Sequence, residues 1–181
     1  MCFYRPASIY ALTCGCSLII SGALADVIGT RVMYIIGATL QSVFTLACGL
    51  AQTTFQLLFF RALAGIAIAF CLPSAVSLIT TYFPHGKRRN MAFAAMGGGQ
   101  PIGFSIGLIV GGVLADSSAT WRGGFYVAAG LNTILVVVSF LGVPKIVREQ
   151  PLSWARLWKD IDWTGAVLLS VALAMLSYVF A

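Results

Sequence analysis

Charge is scarce in this chain: of 181 residues, 11 are Lys or Arg, 5 are Asp or Glu and one is His. That is 9 % charged, against about 25 % for an average soluble domain, and it excludes a soluble globular fold. Nothing in the sequence is of low complexity, and a chain this apolar is not a disordered one. The single histidine, His85, sits in a basic loop with no nucleophile or acid patterned around it, so an enzyme is not expected. Cysteine offers no chemistry either. Cys2, Cys14, Cys16, Cys48 and Cys71 lie mostly within apolar runs, where Cys behaves as a small hydrophobe, and Cys14-Gly15-Cys16 has neither zinc-site nor redox-motif spacing. No metal is therefore expected. The pI of about 9.3 raises the question of nucleic acid, but the basic residues are scattered rather than gathered on a polar domain, and no nucleic-acid partner is expected.

What the sequence has in abundance is uncharged length. Hydrophobic residues make up 60 %, and six charge-free runs emerge: Pro6 to Ala25, Val32 to Phe60, Ala62 to Gly86, Asn90 to Ala115, Gly123 to Pro144 and Trp163 to Ala181. Each is near or above the roughly 20 apolar residues that cross a bilayer as a helix. The runs do not alternate as barrel strands would, and in lipid every backbone group must be paired internally, so the fold class expected is an all-α membrane protein with six transmembrane helices. The first run is too long for a signal peptide's apolar stretch. The second run has to be split by a turn at Ala51-Gln52-Thr53-Thr54, which places Arg61 inside the third span. The expected spans are 7–25, 32–50, 57–81, 91–115, 123–143 and 163–181.

The loops then alternate between two faces. The set at 26–31, 82–90 and 144–162 holds eight basic residues (Arg31, Lys87, Arg88, Arg89, Lys145, Arg148, Arg156 and Lys159), and the other set holds Arg5 and Arg122. The positive-inside rule makes the first face cytoplasmic. Met1 then falls outside, with no earlier span to carry it there, and the expectation is a partial chain that lacks a first helix and a downstream portion. Residues 1–143 read as an incomplete N-terminal half, 144–162 as a cytoplasmic linker and 163–181 as a further span. Within the linker, Trp154, Leu157, Trp158 and Ile161 follow i, i+3, i+4, i+7 spacing, as in a helix lying on the inner leaflet.

The chain repeats itself upside down. Gly22-Ala23-Leu24-Ala25-Asp26 closes the first span and Gly112-Val113-Leu114-Ala115-Asp116 closes the fourth, with Arg31 and Arg122 following. The copies are three spans apart, an odd number, so they lie at opposite faces. Inverted repeats of this kind are the mark of secondary transporters.

At this point the residues resemble the major facilitator superfamily, and within it the fourteen-span drug:proton antiporters, especially fungal ones. Gly22-Ala-Leu-Ala-Asp26-Val-Ile-Gly29-Thr-Arg31 is similar to the signature G-x-L-A-D-R-x-G-R-K between the family's second and third helices, with Val27 and Thr30 in place of two arginines. Leu58-Phe-Phe-Arg61-Ala-Leu-Ala-Gly65 resembles the fourth-helix motif L-x-x-R-x-x-x-G. Gly103-xxx-Gly107-Leu-xx-Gly111-Gly112 resembles the antiporter motif G-xxx-G-P-xx-G-G, with Leu108 at the proline position. The six spans then correspond to helices two to seven, and Asp162-Trp-Thr-Gly165 is similar to the opening of the extra central helices.

The resemblance assigns roles where the residues alone leave alternatives. Gly22, Asp26, Gly29 and Arg31 would form a gating loop, Gly29 turning the chain and Arg31 pairing with Asp26; read alone, they are an ordinary capped turn with a solvated ion pair. Arg61, the one ionisable residue well inside a span, would assist proton coupling by lowering the pKa of a neighbouring carboxylate; read alone, it either does such work or snorkels to the outer headgroups, about 6 Å away if the helix begins at Leu57. Gly99, Gly103, Gly107 and Gly111 recur every four residues and form a flat stripe, with Gly112 beside it, for close helix packing, either within this half or against the opposite half. Lys87 to Arg89 read as a positive-inside anchor, and Pro73 and Pro101 as bends.

The function implied is proton-coupled export of small organic compounds such as drugs or toxins by alternating access, in the plasma membrane. No cofactor is expected, the proton gradient supplying the energy. The partners expected are membrane lipid, a small-molecule substrate and a missing C-terminal half. The alternatives are uptake of a nutrient, ion or siderophore by the same fold, and a non-transporting remnant. The orientation is testable with cysteines placed at Ser117 and Gly86: an impermeant thiol reagent on intact cells should label the first and spare the second, and the opposite pattern would reverse the topology.

Overall fold

The structure, a computed structural model, describes residues 5–115, 120–142 and 163–180. Those residues form six helices: α1 (Arg5–Ile28), α2 (Thr30–Leu50), α3 (Thr54–Tyr82), α4 (Lys87–Ala115), α5 (Thr120–Gly142) and α6 (Trp163–Phe180). The first five are long and apolar enough to cross a membrane. All six expected spans are therefore helices, and the linker helix expected around Trp154 to Ile161 lies outside the described residues.

The helix ends follow from local chemistry. Gly29 has φ 107°, a left-handed conformation that favours glycine, and it serves two helices at once: its N–H bonds the Ala25 carbonyl at 2.9 Å, while its own carbonyl accepts from Met33 at 3.1 Å. α3 begins at Thr54, three residues before the expected start. The reason is a capping box that the turn reading overlooked: Thr53 Oγ1 accepts from the Gln56 N–H at 3.3 Å, and Gln56 Oε1 accepts from the Thr53 N–H at 3.4 Å. The earlier start puts Arg61 roughly 10 Å along the helix from Thr54 rather than at its mouth. Pro73 lies inside α3 and Pro101 inside α4.

α3 is the centre of the bundle. α1 and α2 pack along most of its length, α5 packs on α2, and α6 packs on α1, where Ser170 Oγ donates to the Cys16 carbonyl at 2.6 Å. The buried residues of α3 are Ala64, Gly65, Ala67, Ala69, Cys71, Ser74 and Leu78, nearly all small. This follows from the solvent: lipid tails are as apolar as leucine, so helices associate through close van der Waals contact, which small residues allow. At two glycines the approach leaves no room for a side chain. A Cβ on Gly65 would run into Thr13 Oγ1 and stand 2.5 Å from the Tyr10 carbonyl oxygen of α1, and one on Gly37 would stand 2.9 Å from the Ala67 carbonyl oxygen of α3.

α2 and α5 run antiparallel and are joined by polar groups along their length. Ser42 Oγ lies 2.7 Å from Thr133 Oγ1, and the Tyr126 hydroxyl donates to the Gly49 carbonyl at 3.1 Å. At the two ends stand the arginines that follow the repeated aspartates. Arg31, at the start of α2, donates from Nη2 to the Phe140 carbonyl near the end of α5 (3.4 Å), and Arg122, at the start of α5, donates from Nη2 to the Ala51 carbonyl just past the end of α2 (3.0 Å). Donors and acceptors exchange places under the inverted repeat. A helix's last carbonyls lack internal partners and carry its negative dipole end, so a guanidinium is suited to both positions. Arg122, expected in a loop, is thus a residue of α5.

α4 differs from the rest. No residue from 87 to 114 is buried, and it touches α3 and α5 over short stretches. A Cβ at Gly99, Gly103, Gly107, Gly111 or Gly112 would meet nothing within 4 Å. Among the described residues, then, the glycine stripe packs against no helix, and close packing falls instead to Gly37, Gly49 and Gly65. Two substitutions separate these classes. Gly65→Val is expected to destabilise the detergent-solubilised chain by roughly 1–3 kcal/mol or more through overpacking, and Gly103→Val to change it by less than about 0.5 kcal/mol; thermal unfolding of the two variants measures both.

Candidate functional site

Five helices converge on a cavity of about 780 Å³. It lies toward the end of the bundle where α2 turns into α3: Tyr10 comes from the start of α1, Cys48 from the end of α2, Arg61 from α3, Gly111 from the end of α4 and Gly124 from the start of α5. Its volume is within the ≈ 300–1,000 Å³ typical of small-molecule sites. Among its lining residues Arg61 is the one charged side chain. Polar groups come from Tyr10, Gln41, Thr45 and Asn132, and one wall is the glycine stripe, represented by Gly103, Gly107 and Gly111.

Arg61 is held by an aromatic face rather than by a counter-charge. Its guanidinium carbon stands 4.9 Å from the centroid of the Phe125 ring, a cation–π contact worth about 0.5–2 kcal/mol. Its Nε is buried without a hydrogen-bond partner. Gln41 donates from Nε2 to the Tyr10 hydroxyl at 3.5 Å, whereas its Oε1 is buried and unpaired. Thr45 spends its hydroxyl hydrogen on the Gln41 backbone carbonyl at 2.6 Å. Two buried atoms beside the cavity, Arg61 Nε and Gln41 Oε1, thus lack a partner among the described residues. A fixed positive charge in a poorly screened setting acts strongly on whatever enters.

The residues singled out from sequence divide into two groups. Arg61, Gly103, Gly107 and Gly111 meet in the cavity, while Gly99 and Gly112 share its helix but not its lining. Gly22, Asp26, Gly29 and Arg31 gather at the opposite end of α1, roughly 24 Å from Tyr10 at 1.5 Å per residue over 16 residues. There the expected pair between Asp26 and Arg31 is not formed: Asp26 is exposed, and Arg31 reaches across to α5. The physical reason is the neighbouring helix end, whose unpaired carbonyl competes for the guanidinium with a carboxylate pointing outward. Gly22 sits where its missing Cβ would be 3.8 Å from Pro73 Cβ, ordinary contact between α1 and α3.

Sequence reading overlooked Tyr10, Gln41, Phe125 and Asn132. A signal existed for two of them. Gln41 and Asn132 are amides within apolar runs, 91 residues apart, the spacing that also separates Arg31 from Arg122. Amides at membrane depth are costly enough to mark interior contacts or cavities. Nothing in the local pattern distinguishes Phe125 from the other phenylalanines.

Comparison with known proteins places this geometry. A family model described as Major Facilitator Superfamily matches residues 6–181. The chain is 39 % identical to MFS-type transporter 1 of Pyricularia oryzae over 97 % of its own length and 33 % of that protein, and 30 % identical to Efflux pump terJ of Aspergillus terreus over 94 % of its length and 34 % of that protein. It thus spans about a third of the length of these relatives. Among solved structures, a mutant peptide transporter POT in complex with sulfate superposes with a TM-score of 0.67 at 29 % identity, covering 93 % of this chain and 36 % of that one.

The two arginine ties and the exposed aspartate make opposite expectations. Arg31→Gln and Arg122→Gln should each lower the thermal stability of the chain by about 1–3 kcal/mol, the range for hydrogen bonds to charged groups, whereas Asp26→Asn should leave it within about 0.5 kcal/mol. Unfolding curves of the three variants check this.

Proposed function

Because the chain belongs to the Major Facilitator Superfamily, we propose that it supplies part of a proton-coupled exporter of small organic compounds, working by alternating access. The observation that carries this reading is the cavity built around Arg61, bounded on one side by the glycine stripe of α4 together with Ile106 and Val110. An inverted repeat gives the two membrane faces equivalent machinery, as alternating access requires. The α2–α5 pair, tied at both ends, would move as one piece. The stripe of α4 would be the surface on which an opposite transporter half closes, and that half is the partner proposed for this chain.

Export rather than uptake is supported by the name of one relative, an efflux pump, and by the glycine pattern's likeness to the antiporter motif. In this reading Arg61 is a positioning residue for protons: a guanidinium stays charged and would hold ionised a carboxylate supplied by another part of the transporter, since the five acids of this chain fall at loops or span ends, until substrate displaces the balance. The gradient supplies the energy without a cofactor, and the plasma membrane is the proposed location.

The test uses a chimaera in which this chain replaces the matching third of the Aspergillus terreus efflux pump. Energy-dependent efflux of the parent pump's compounds should survive the exchange, collapse with a protonophore, and fall at least about tenfold in Arg61→Ala, the loss of one charged hydrogen bond's worth of stabilisation. Accumulation in place of efflux, or efflux indifferent to both the protonophore and Arg61→Ala, would overturn the reading.

A further inference from the structure

A second hollow, of about 440 Å³, opens on the α2–α5 pair. It lies on the outside of that pair. At about 100° per residue, Thr39, Val43 and Leu46 of α2 point about 160° away from Gln41, Thr45 and Cys48, which line the cavity around Arg61. Tyr126, Gly130 and Thr133 of α5 stand in the same relation to Gly124, Ala128 and Leu131. Gly37, where α3 is received, is on the cavity side of α2, and a helix standing to α5 as α3 stands to α2 in the inverted repeat would lie on the cavity side too. The groove therefore faces lipid, and Thr39, Val43, Leu46, Tyr126, Gly130 and Thr133 are all exposed there.

Among the described residues, the hydroxyls of this groove can accept but have no hydrogen left to donate. Thr39 donates to the Ile35 carbonyl at 2.8 Å, Thr133 to the Ala129 carbonyl at 2.8 Å and Tyr126 to the Gly49 carbonyl at 3.1 Å. Ser42 is then the donor in its 2.7 Å contact with Thr133 Oγ1. Each hydroxyl oxygen has two lone pairs, so Thr39 and Ser42 keep theirs for a visitor. Ser42 lies roughly 18 Å along α2 and Thr133 roughly 20 Å along α5, near the middle of both helices, where no water supplies the missing hydrogen. The described lining holds no charged residue, so an ammonium would arrive at that depth without a counter-charge. A sterol's hydroxyl is held at the headgroups, roughly 15 Å short of this depth, because its body fills the leaflet below. A small flat molecule with one hydroxyl does reach it, and a phenol, with a pKa of about 10, is a stronger donor than an aliphatic alcohol. Gly130, where a Cβ would meet nothing within 4 Å, leaves the floor open to a ring.

We propose that this groove is a binding site for lipophilic phenols that arrive through the bilayer. The phenolic O–H is donated to Ser42 Oγ or Thr39 Oγ1, and the ring lies over Gly130 between α2 and α5. The site is independent of what the cavity around Arg61 carries and of the direction of transport.

The probes are meta-hydroxybenzophenone and meta-methoxybenzophenone, which share a body that couples to nearby C–H bonds under near-ultraviolet light; the second has no donor. Each is photolysed with the full chain in phosphatidylcholine nanodiscs. Adducts on α2 and α5 are measured by mass spectrometry against those at Leu168 and Met175 of α6, which are 65 % and 67 % exposed and register the concentration in the bilayer. The phenol is expected to half-saturate labelling of the groove at a bilayer concentration about three- to tenfold lower than the ether, the span of one neutral hydrogen bond. Thr39→Val combined with Ser42→Ala should erase that gap at nearly constant shape, Thr39→Ser should keep it, and Gly130→Leu should exclude both compounds. The same preference is expected in the membrane-inserted chimaera, since the groove looks away from the Arg61 cavity. Equal half-saturation by phenol and ether, groove labelling no denser than at Leu168 and Met175, or loss of phenol labelling in the chimaera would overturn the proposal; the first comparison, within the unaltered chain, decides it even if a variant fails to fold. Efflux by the chimaera, or its absence, bears on the transport reading alone.

Discussion

Everything in this bundle depends on how closely other helices can approach α3. In a bilayer, burying a leucine between two helices gains little over leaving it in lipid, so the helices hold together where their backbones come near. The contact face of α3 is made of Ala64, Gly65, Ala67, Ala69, Cys71 and Ser74, and Gly37 of α2 supplies the complementary opening on the other side. Large residues such as Phe55 and Phe59 turn outward, 77 % and 54 % exposed, which in water would be a fault and in lipid is the solvated state. The side of α3 that carries Arg61 is thereby held toward the cavity rather than toward lipid.

A second constraint works at the helix ends. Arg31 and Arg122 occupy equivalent places in the two inverted copies, and each reaches a carbonyl at the far end of the other's helix. An arginine in that position answers two needs together, the unpaired carbonyls and the negative end of the dipole. The result is an antiparallel α2–α5 pair fastened at both membrane faces, with Ser42 and Thr133 meeting between them. Tyr126 and Phe125 leave this pair in different directions, one to the Gly49 carbonyl and the other beneath Arg61, so the frame and the cavity share a helix.

The glycines divide according to what lies opposite them. Gly37, Gly49 and Gly65 face atoms so close that a methyl group would collide, whereas Gly103, Gly107 and Gly111 face open space and form a cavity wall. By composition the two sets are alike. Their difference arises from where α4 stands, at the margin of the helices that α3 gathers, and this is what gives a regular sequence stripe a role separate from packing.

The sequence by itself determined the all-helical membrane class and the six spans, because the need to pair every backbone group in lipid turns any long uncharged run into a helix whatever its neighbours. It also determined the turn at Gly29, the inverted repeat and the presence of a single buried-depth cation, since each is written in residues a few positions apart. The partners of those residues were decided by tertiary structure. That Arg31 chooses Phe140 over Asp26, that Arg61 lies on Phe125, and that Gln41 and Asn132 face one cavity are matters of which helices meet and at what rotation. Lipid removes the hydrophobic signal that would fix that rotation from the pattern of one helix alone, and it is set instead by contacts between residues as much as 154 positions apart.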